Sequence, residues 1–115
     1  MARAAATSDV FNAIAEQQRR EMLTRLRAGE LSVTDLADDL GLAQPSASKH
    51  LRVLREVGLV QARREGKQRI YGLHAAGLRP VHEWTGGFEQ FWTGSFNRLD
   101  NYLATLQQQD GRTSR

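Results

Sequence analysis

The sequence contains no cysteine, which excludes disulfides, thiolate metal sites and a cysteine nucleophile and fits a reducing cytoplasm. No apolar run approaches the roughly 18–20 residues that span a bilayer. Met1 to Ser8 hold no apolar stretch of the length a secretion signal needs. These absences predict a cytoplasmic protein. Catalytic signatures are missing too: there is no His-Glu-x-x-His, no phosphate loop and no dinucleotide glycine motif. Ser46-Ala47-Ser48-Lys49 matches the Ser-x-x-Lys of penicillin-binding enzymes by chance. The companion Ser-Asp-Asn and Lys-Thr-Gly elements are lacking, and 115 residues are too few for that fold. Neither an enzyme nor a cofactor is predicted.

What is present is ordinary in amount and uneven in placement. With 40% hydrophobic and 25% charged residues, the chain has room for one domain around one modest core. The net charge is only +3. Yet Gln44 to Gly72 carry seven basic residues (Lys49, Arg52, Arg55, Arg63, Arg64, Lys67, Arg69) against two acidic ones (Glu56, Glu65), a local +5. Such a segment suits a polyanion, or a solvated face laced with ion pairs; charge alone does not choose.

The apolar spacing predicts helices. Ser8 or Asp9 can cap a first one bearing Val10, Phe11 and Ile14. A second runs from Gln17 to Arg27 with Met22, Leu23 and Leu26 inward, and Gly29 is its natural stop. Ser32 caps a third, with Asp35 at its positive end and Val33, Leu36, Ala37 and Leu40 facing the core. That helix halts at Gly41, and Pro45 opens a fourth where its missing N–H costs nothing. Two short helices joined by a glycine turn, the second one basic, read as helix-turn-helix. On the fourth helix Ala47, Leu51 and Leu54 stack on one side, and Lys49 lies almost opposite among Pro45, Ser46 and Arg52. Ser48 and Arg55 sit on the shoulder. A cationic, hydroxyl-bearing face opposite an aliphatic stripe suits a major groove. His50 lies about 60° from the packed face, which favours half-buried packing or a phosphate contact over base readout.

Leu59–Arg63 and Gln68–Leu73 are strand-like, and Arg64-Glu65-Gly66-Lys67 supplies the turn. A tip carrying Arg63, Arg64, Lys67 and Arg69 suits DNA backbone, so the hairpin reads as a wing. From about Leu78 to Gln108 a long amphipathic stripe contains Trp84, Phe88, Phe91, Trp92, Phe96, Leu99, Tyr102, Leu103 and Leu106, six of the eight aromatics among them. One small monomer cannot bury this stripe, so a second copy is the simplest cover. Gly86, Gly87 and Gly94 weaken the helix there and mark a kink or a close backbone approach. The expected organisation is one domain over 1–107 and a frayed polar tail over 108–115.

In this order the chain resembles the ArsR/SmtB family of winged helix-turn-helix regulators over roughly Asp9 to Leu106. The resemblance rests on Glu30-Leu31-Ser32-Val33-Thr34-Asp35-Leu36-Ala37, on Gln44 through Arg55 with its Ser48-x-His50-Leu51-x-x-Leu54 core, and on Gly58-Leu59-Val60, Arg63-Arg64-Glu65-Gly66 and Tyr71. It implies a mainly α fold with a small β-hairpin wing. It further implies a homodimer through the first and last helices, and a pseudo-palindromic double-stranded DNA operator as partner. Such regulators usually repress, often at their own operon. By the family pattern Gln44, Ser46, Ser48, Lys49 and His50 approach bases and nearby phosphates. Arg52, Arg63, Arg64, Lys67 and Arg69 join them from the charge and wheel reading. Phe11, Trp84, Phe88, Phe91, Trp92, Phe96, Leu99 and Leu103 are the expected dimer interface.

The departures from the family matter equally. Members that bind arsenite use two cysteines where this chain has Ser32 and Thr34. Members that bind zinc on the last helix use spaced Asp, His and Glu, and here only His82 is available. No metal site is expected, and His74 and His82 read as surface or junction residues rather than switches. The aromatic cluster resembles cysteine-free members whose inducer, if any, is not a metal. A small apolar effector at the subunit seam is the sharper reading of that cluster, and dimer core the broader one. The competing class is a winged-helix adaptor, whose stripe would pair with another protein.

Overall fold

The computed structural model describes residues 6–113, with side-chain surroundings described for 9–94 and 98–107. Helix α1 (Ala6–Ile14) begins before the predicted caps, so Asp9 lies within its first turn and favours the positive helix end there. Helix α2 (Gln17–Leu26) buries Met22, Leu23 and Leu26 as their spacing predicts. It closes at Arg27 rather than at Gly29. Strand β1 (Leu31–Ser32) was not foreseen. Ser32 ends it and caps helix α3 (Val33–Leu40), its hydroxyl accepting from the Asp35 N–H at 3.1 Å. Gly41 terminates α3 in the left-handed conformation at φ 66°. After two further residues, helix α4 (Gln44–Glu56) starts with Pro45 in its first turn. The predicted helix-turn-helix is formed.

Strands β2 (Val60–Glu65) and β3 (Gln68–Leu73) make the wing. Its loop is only Gly66-Lys67, because Glu65 pairs directly with Gln68. Gly66 has φ 63° and no non-glycine residue among the described residues has positive φ, the pattern of a type II′ turn. The sheet has the order β1-β3-β2, all antiparallel, with Leu31 opposite Tyr71 and Ser32 opposite Ile70. A two-residue strand has no alternation to reveal it, and Ser32 advertises its capping role instead.

Met22, Leu36, Leu51, Leu54 and Leu59 are the largest fully buried side chains. Drawn from α2, α3, α4 and the approach to β2, they each contribute about 1.5–3 kcal/mol by burial. That core holds the basic face of α4 outward. Val10, Ala13, Val60 and Tyr71 complete it, with Leu78 and Val81 packed on its edge.

The chain divides into two units, the first ending at Val81 and the second starting at His82. A short 3₁₀ turn (Ala75–Leu78) leads into helix α5 (Arg79–Gly86), and helix α6 spans Glu89–Thr113. The single long stripe predicted from sequence is thus interrupted at Gly86–Phe88, where Phe88 N–H bonds the Thr85 carbonyl at 2.9 Å. Helix α6 runs past the boundary at 107 that composition suggested. No helix among the described residues is long and apolar enough to cross a membrane.

Candidate nucleic-acid interface

Ala47, Leu51 and Leu54 are each 0% exposed and fix the rotation of α4. Gln44, Ser46, Ser48, Lys49 and Arg52 are consequently exposed. Neither Lys49 nor Arg52 forms an ion pair among the described residues. The helix thus presents unneutralised cations and hydroxyls on one side, an arrangement suited to phosphates and base edges.

His50 is placed differently from its neighbours. It is half-buried against α2, where Arg19 Nε donates to its Nδ1 at 3.2 Å. Arginine cannot accept, so Nδ1 is the acceptor and the ring hydrogen sits on Nε2. Nε2 then donates to Gln18 Oε1 at 2.9 Å. Arg19 is itself held by the Ala13 carbonyl at 3.3 Å and by Glu16 at 3.6 Å. Both ring nitrogens of His50 are engaged inside the protein.

The strand register divides the wing cations between two faces. Arg64 sits opposite Arg69, and Ala62 opposite Tyr71, so these four share one face; Arg63 and Ile70 share the other. Arg63 Nη2 donates to Glu30 Oε1 at 2.8 Å, and its Nη1 lies 3.4 Å from Glu65. The hydrogen bonds from Arg63, and then its charge, hold the Glu30 carboxyl below the ordinary carboxylate range, and Glu30 raises Arg63 in turn. Arg63 is therefore compensated within the protein, whereas Arg64, Lys67 and Arg69 are exposed without an ion pair among the described residues.

Two residues outside the predicted site, Arg55 and Tyr71, line a cleft beside it. Ser48, Arg52 and Arg55 follow i, i+4, i+7 spacing and line a cleft of about 320 Å³ together with Val33, Arg69 and Tyr71. The sequence places Arg55 on the shoulder of the cationic face and Tyr71 in the family signature. The helical spacing of Ser48, Arg52 and Arg55 was the available signal.

In the second unit Trp84, Phe88, Phe91, Trp92, Leu99 and Leu103 are all exposed, between 42% and 64%. The Trp84 and Phe88 rings meet edge to face with centroids 5.3 Å apart. Phe11, on α1, is half-buried. The side chain of Phe96 lies outside the described residues.

Residues 16–62 match the family described as "Bacterial regulatory protein, arsR family". The transcriptional repressor SdpR of Bacillus subtilis is 30% identical over 96 residues, covering 84% of this chain and 99% of its own length. The HTH-type transcriptional regulator NmtR of Mycobacterium tuberculosis is 44% identical over 71 residues, 62% of this chain and 59% of that protein. Among solved structures, the homodimeric winged helix-turn-helix DNA-binding domain Mb0332 of Mycobacterium bovis superposes with a TM-score of 0.61 at 30% identity. That match covers 74% of this chain and 82% of the other.

Proposed function

The chain belongs to the arsR family of bacterial regulatory proteins, and on that premise we propose that it is a homodimeric repressor of its own or a neighbouring operon, acting at a pseudo-palindromic operator. It is a DNA-binding transcriptional regulator with a winged helix-turn-helix. The observation that carries the reading is the exposed face of α4, Gln44, Ser46, Ser48, Lys49 and Arg52, set opposite a completely buried aliphatic stripe. Two copies of that face, in major grooves about one turn or 34 Å apart, read two half-sites. Arg64, Lys67 and Arg69 hold flanking backbone. The exposed apolar residues of α5 and α6 supply the surface that a second subunit covers. The Trp84–Phe88 pair supports a small apolar effector at that seam.

The test is binding of the purified protein to its own promoter region, followed by footprinting. The expected result is a protected two-fold symmetric site, lost in the double variant Lys49→Ala, Arg52→Ala. Footprints that persist in that variant would remove α4 from the interface.

A further inference from the structure

We propose that the cleft between α4 and β3 seats one phosphate of the DNA backbone, gripped by Arg52, Arg55 and Arg69 with the Tyr71 hydroxyl. The inference rests on the DNA-binding reading above and adds Arg55 and Tyr71 to the residues that contact the duplex. The cleft, about 320 Å³, is walled by three guanidinium groups and two hydroxyl side chains, Ser48 and Tyr71, with Val33 as an apolar element and no carboxylate in its lining.

Three observations point to an anion. First, none of the three arginines forms an ion pair among the described residues, although carboxylates elsewhere are used: Glu16 engages Arg19, and Glu30 and Glu65 both engage Arg63. Second, Arg69 stands directly across the strands from Arg64. Like charges in that relation destabilise a hairpin, and an anion held by Arg69 offsets the repulsion. Third, Tyr71 is only 5% exposed and lines the cleft, yet its hydroxyl has no hydrogen-bond partner among the described residues. No buried side-chain polar atom among those residues is left unsatisfied, so that hydroxyl is not sealed from solvent and is free to accept or donate at the cleft Tyr71 lines.

The chemistry favours a tetrahedral oxyanion, because guanidinium forks donate in pairs to phosphate oxygens and hydroxyls complete the set. Position favours DNA as its source. Arg52 belongs both to the exposed face of α4 and to the cleft, while Arg69 joins the cleft to the wing. A backbone entering between helix and wing delivers a phosphate to that point.

The experiment is operator binding by the full chain over a range of salt concentrations, with Arg55→Gln, Arg69→Gln and the double variant. Each seat lost lowers the slope of log K against log salt by about 0.9 per subunit, equivalent to about an eightfold loss per seat at 0.1 M salt. Because the arginines share one phosphate, the double variant loses about the same slope as one complete seat, not twice that. A methylphosphonate scan locates the phosphate: one neutral substitution per half-site weakens the wild type most, Arg55→Gln less, and the double variant least. Tyr71→Phe keeps the ring packed and weakens binding severalfold without changing the slope. Thermal melting confirms that the variants stay folded.

Unchanged slope and affinity in Arg55→Gln, with wild-type operator binding intact, would overturn the seat and leave the regulator reading standing. Failure of the wild type to bind any duplex would overturn both. Inorganic phosphate titrated without DNA separates the sources. Saturable NMR shifts at Arg55 and Arg69 Nε, combined with an unchanged DNA salt slope in Arg55→Gln, would assign the cleft to a free anion and overturn the backbone assignment.

Discussion

Arg19 Nε lies 3.2 Å from His50 Nδ1 and ties helix α4 to α2. With Gln18 Oε1 at 2.9 Å from the other ring nitrogen, His50 has no free hydrogen-bonding edge to offer a base. That geometry supports a positioning role for His50 on α4. His50→Ala is expected to lower stability by about 1 kcal/mol, the usual net worth of a part-buried hydrogen bond. It should weaken DNA binding to a similar extent at every sequence. Thermal denaturation and selection from a randomised operator library check this. A changed base preference at one half-site position, with an unchanged melting temperature, would restore His50 to base readout.

The wing cations are expected to be unequal. Arg63 is already compensated by Glu30 and Glu65, whereas Arg64 and Lys67 have no ion pair among the described residues. Arg64→Gln or Lys67→Gln should lower the salt slope of DNA binding by about 0.9 per subunit. Arg63→Gln should lower it by less than half as much. An equal fall for all three would mean that the Glu30 pair opens on binding.

The same pair sets a pH dependence. Glu30 is held below its ordinary value of 4.5 by the hydrogen bonds and charge of Arg63. A depressed carboxyl contributes stability above its unfolded value and loses it as pH falls through the folded value. Wild type should therefore exceed Glu30→Gln slightly near neutrality, with the difference vanishing in acid below 4.5. Both groups are exposed, so added salt should shrink the gap. Melting temperatures of the two proteins across pH, at low and high salt, measure it. A gap that widens toward acid would contradict the pairing.

What the sequence disclosed follows from how each feature is encoded. Ala47, Leu51 and Leu54 repeat at helical spacing, so the buried face of α4, and with it the exposed Lys49 and Arg52, could be read directly. Ser32 sits three residues before Asp35, which is capping geometry. Pairings between distant residues leave no such trace. Arg63 with Glu30, and His50 with Arg19, join positions 33 and 31 residues apart. Only the folded chain shows which cations are already compensated. The wing faces were hidden for the same reason, since a strand assigned without its register does not reveal that Arg64 meets Arg69 while Arg63 points elsewhere.

Gly77 makes a close backbone approach that no motif announced. A Cβ there would stand 2.3 Å from the Gly58 carbonyl oxygen and 3.0 Å from Leu59 Cδ2. That oxygen also accepts from His74 Nδ1 at 2.9 Å, so the methyl group must displace a bonded carbonyl. Gly77→Ala is expected to destabilise by about 1–3 kcal/mol or more, the range for overpacking. Gly86→Ala, with nothing within 4 Å of its Cβ, is the control and should be neutral or slightly stabilising. Urea denaturation of both separates crowding from a general effect of removing glycine.

Leu99, Leu103 and Leu106 follow one another at i, i+4 and i+7 on α6 and remain 52%, 46% and 37% exposed. Helical residues at that spacing share a face. A contiguous apolar face left open on a single chain marks a surface for another partner to cover. If that surface is a second subunit, Leu99→Glu with Leu103→Glu places four charges in the seam. The dimer dissociation constant should then rise at least about 100-fold, since each buried leucine lost costs about 2 kcal/mol or more. Helix content should hardly change, because neither leucine is buried within its own chain. Operator affinity should collapse while weak binding to a half-site persists, because two α4 helices no longer arrive together. Analytical ultracentrifugation with half-site and full-site titrations reads all three effects. A variant that remains a dimer of unchanged affinity would place the subunit contact away from α6.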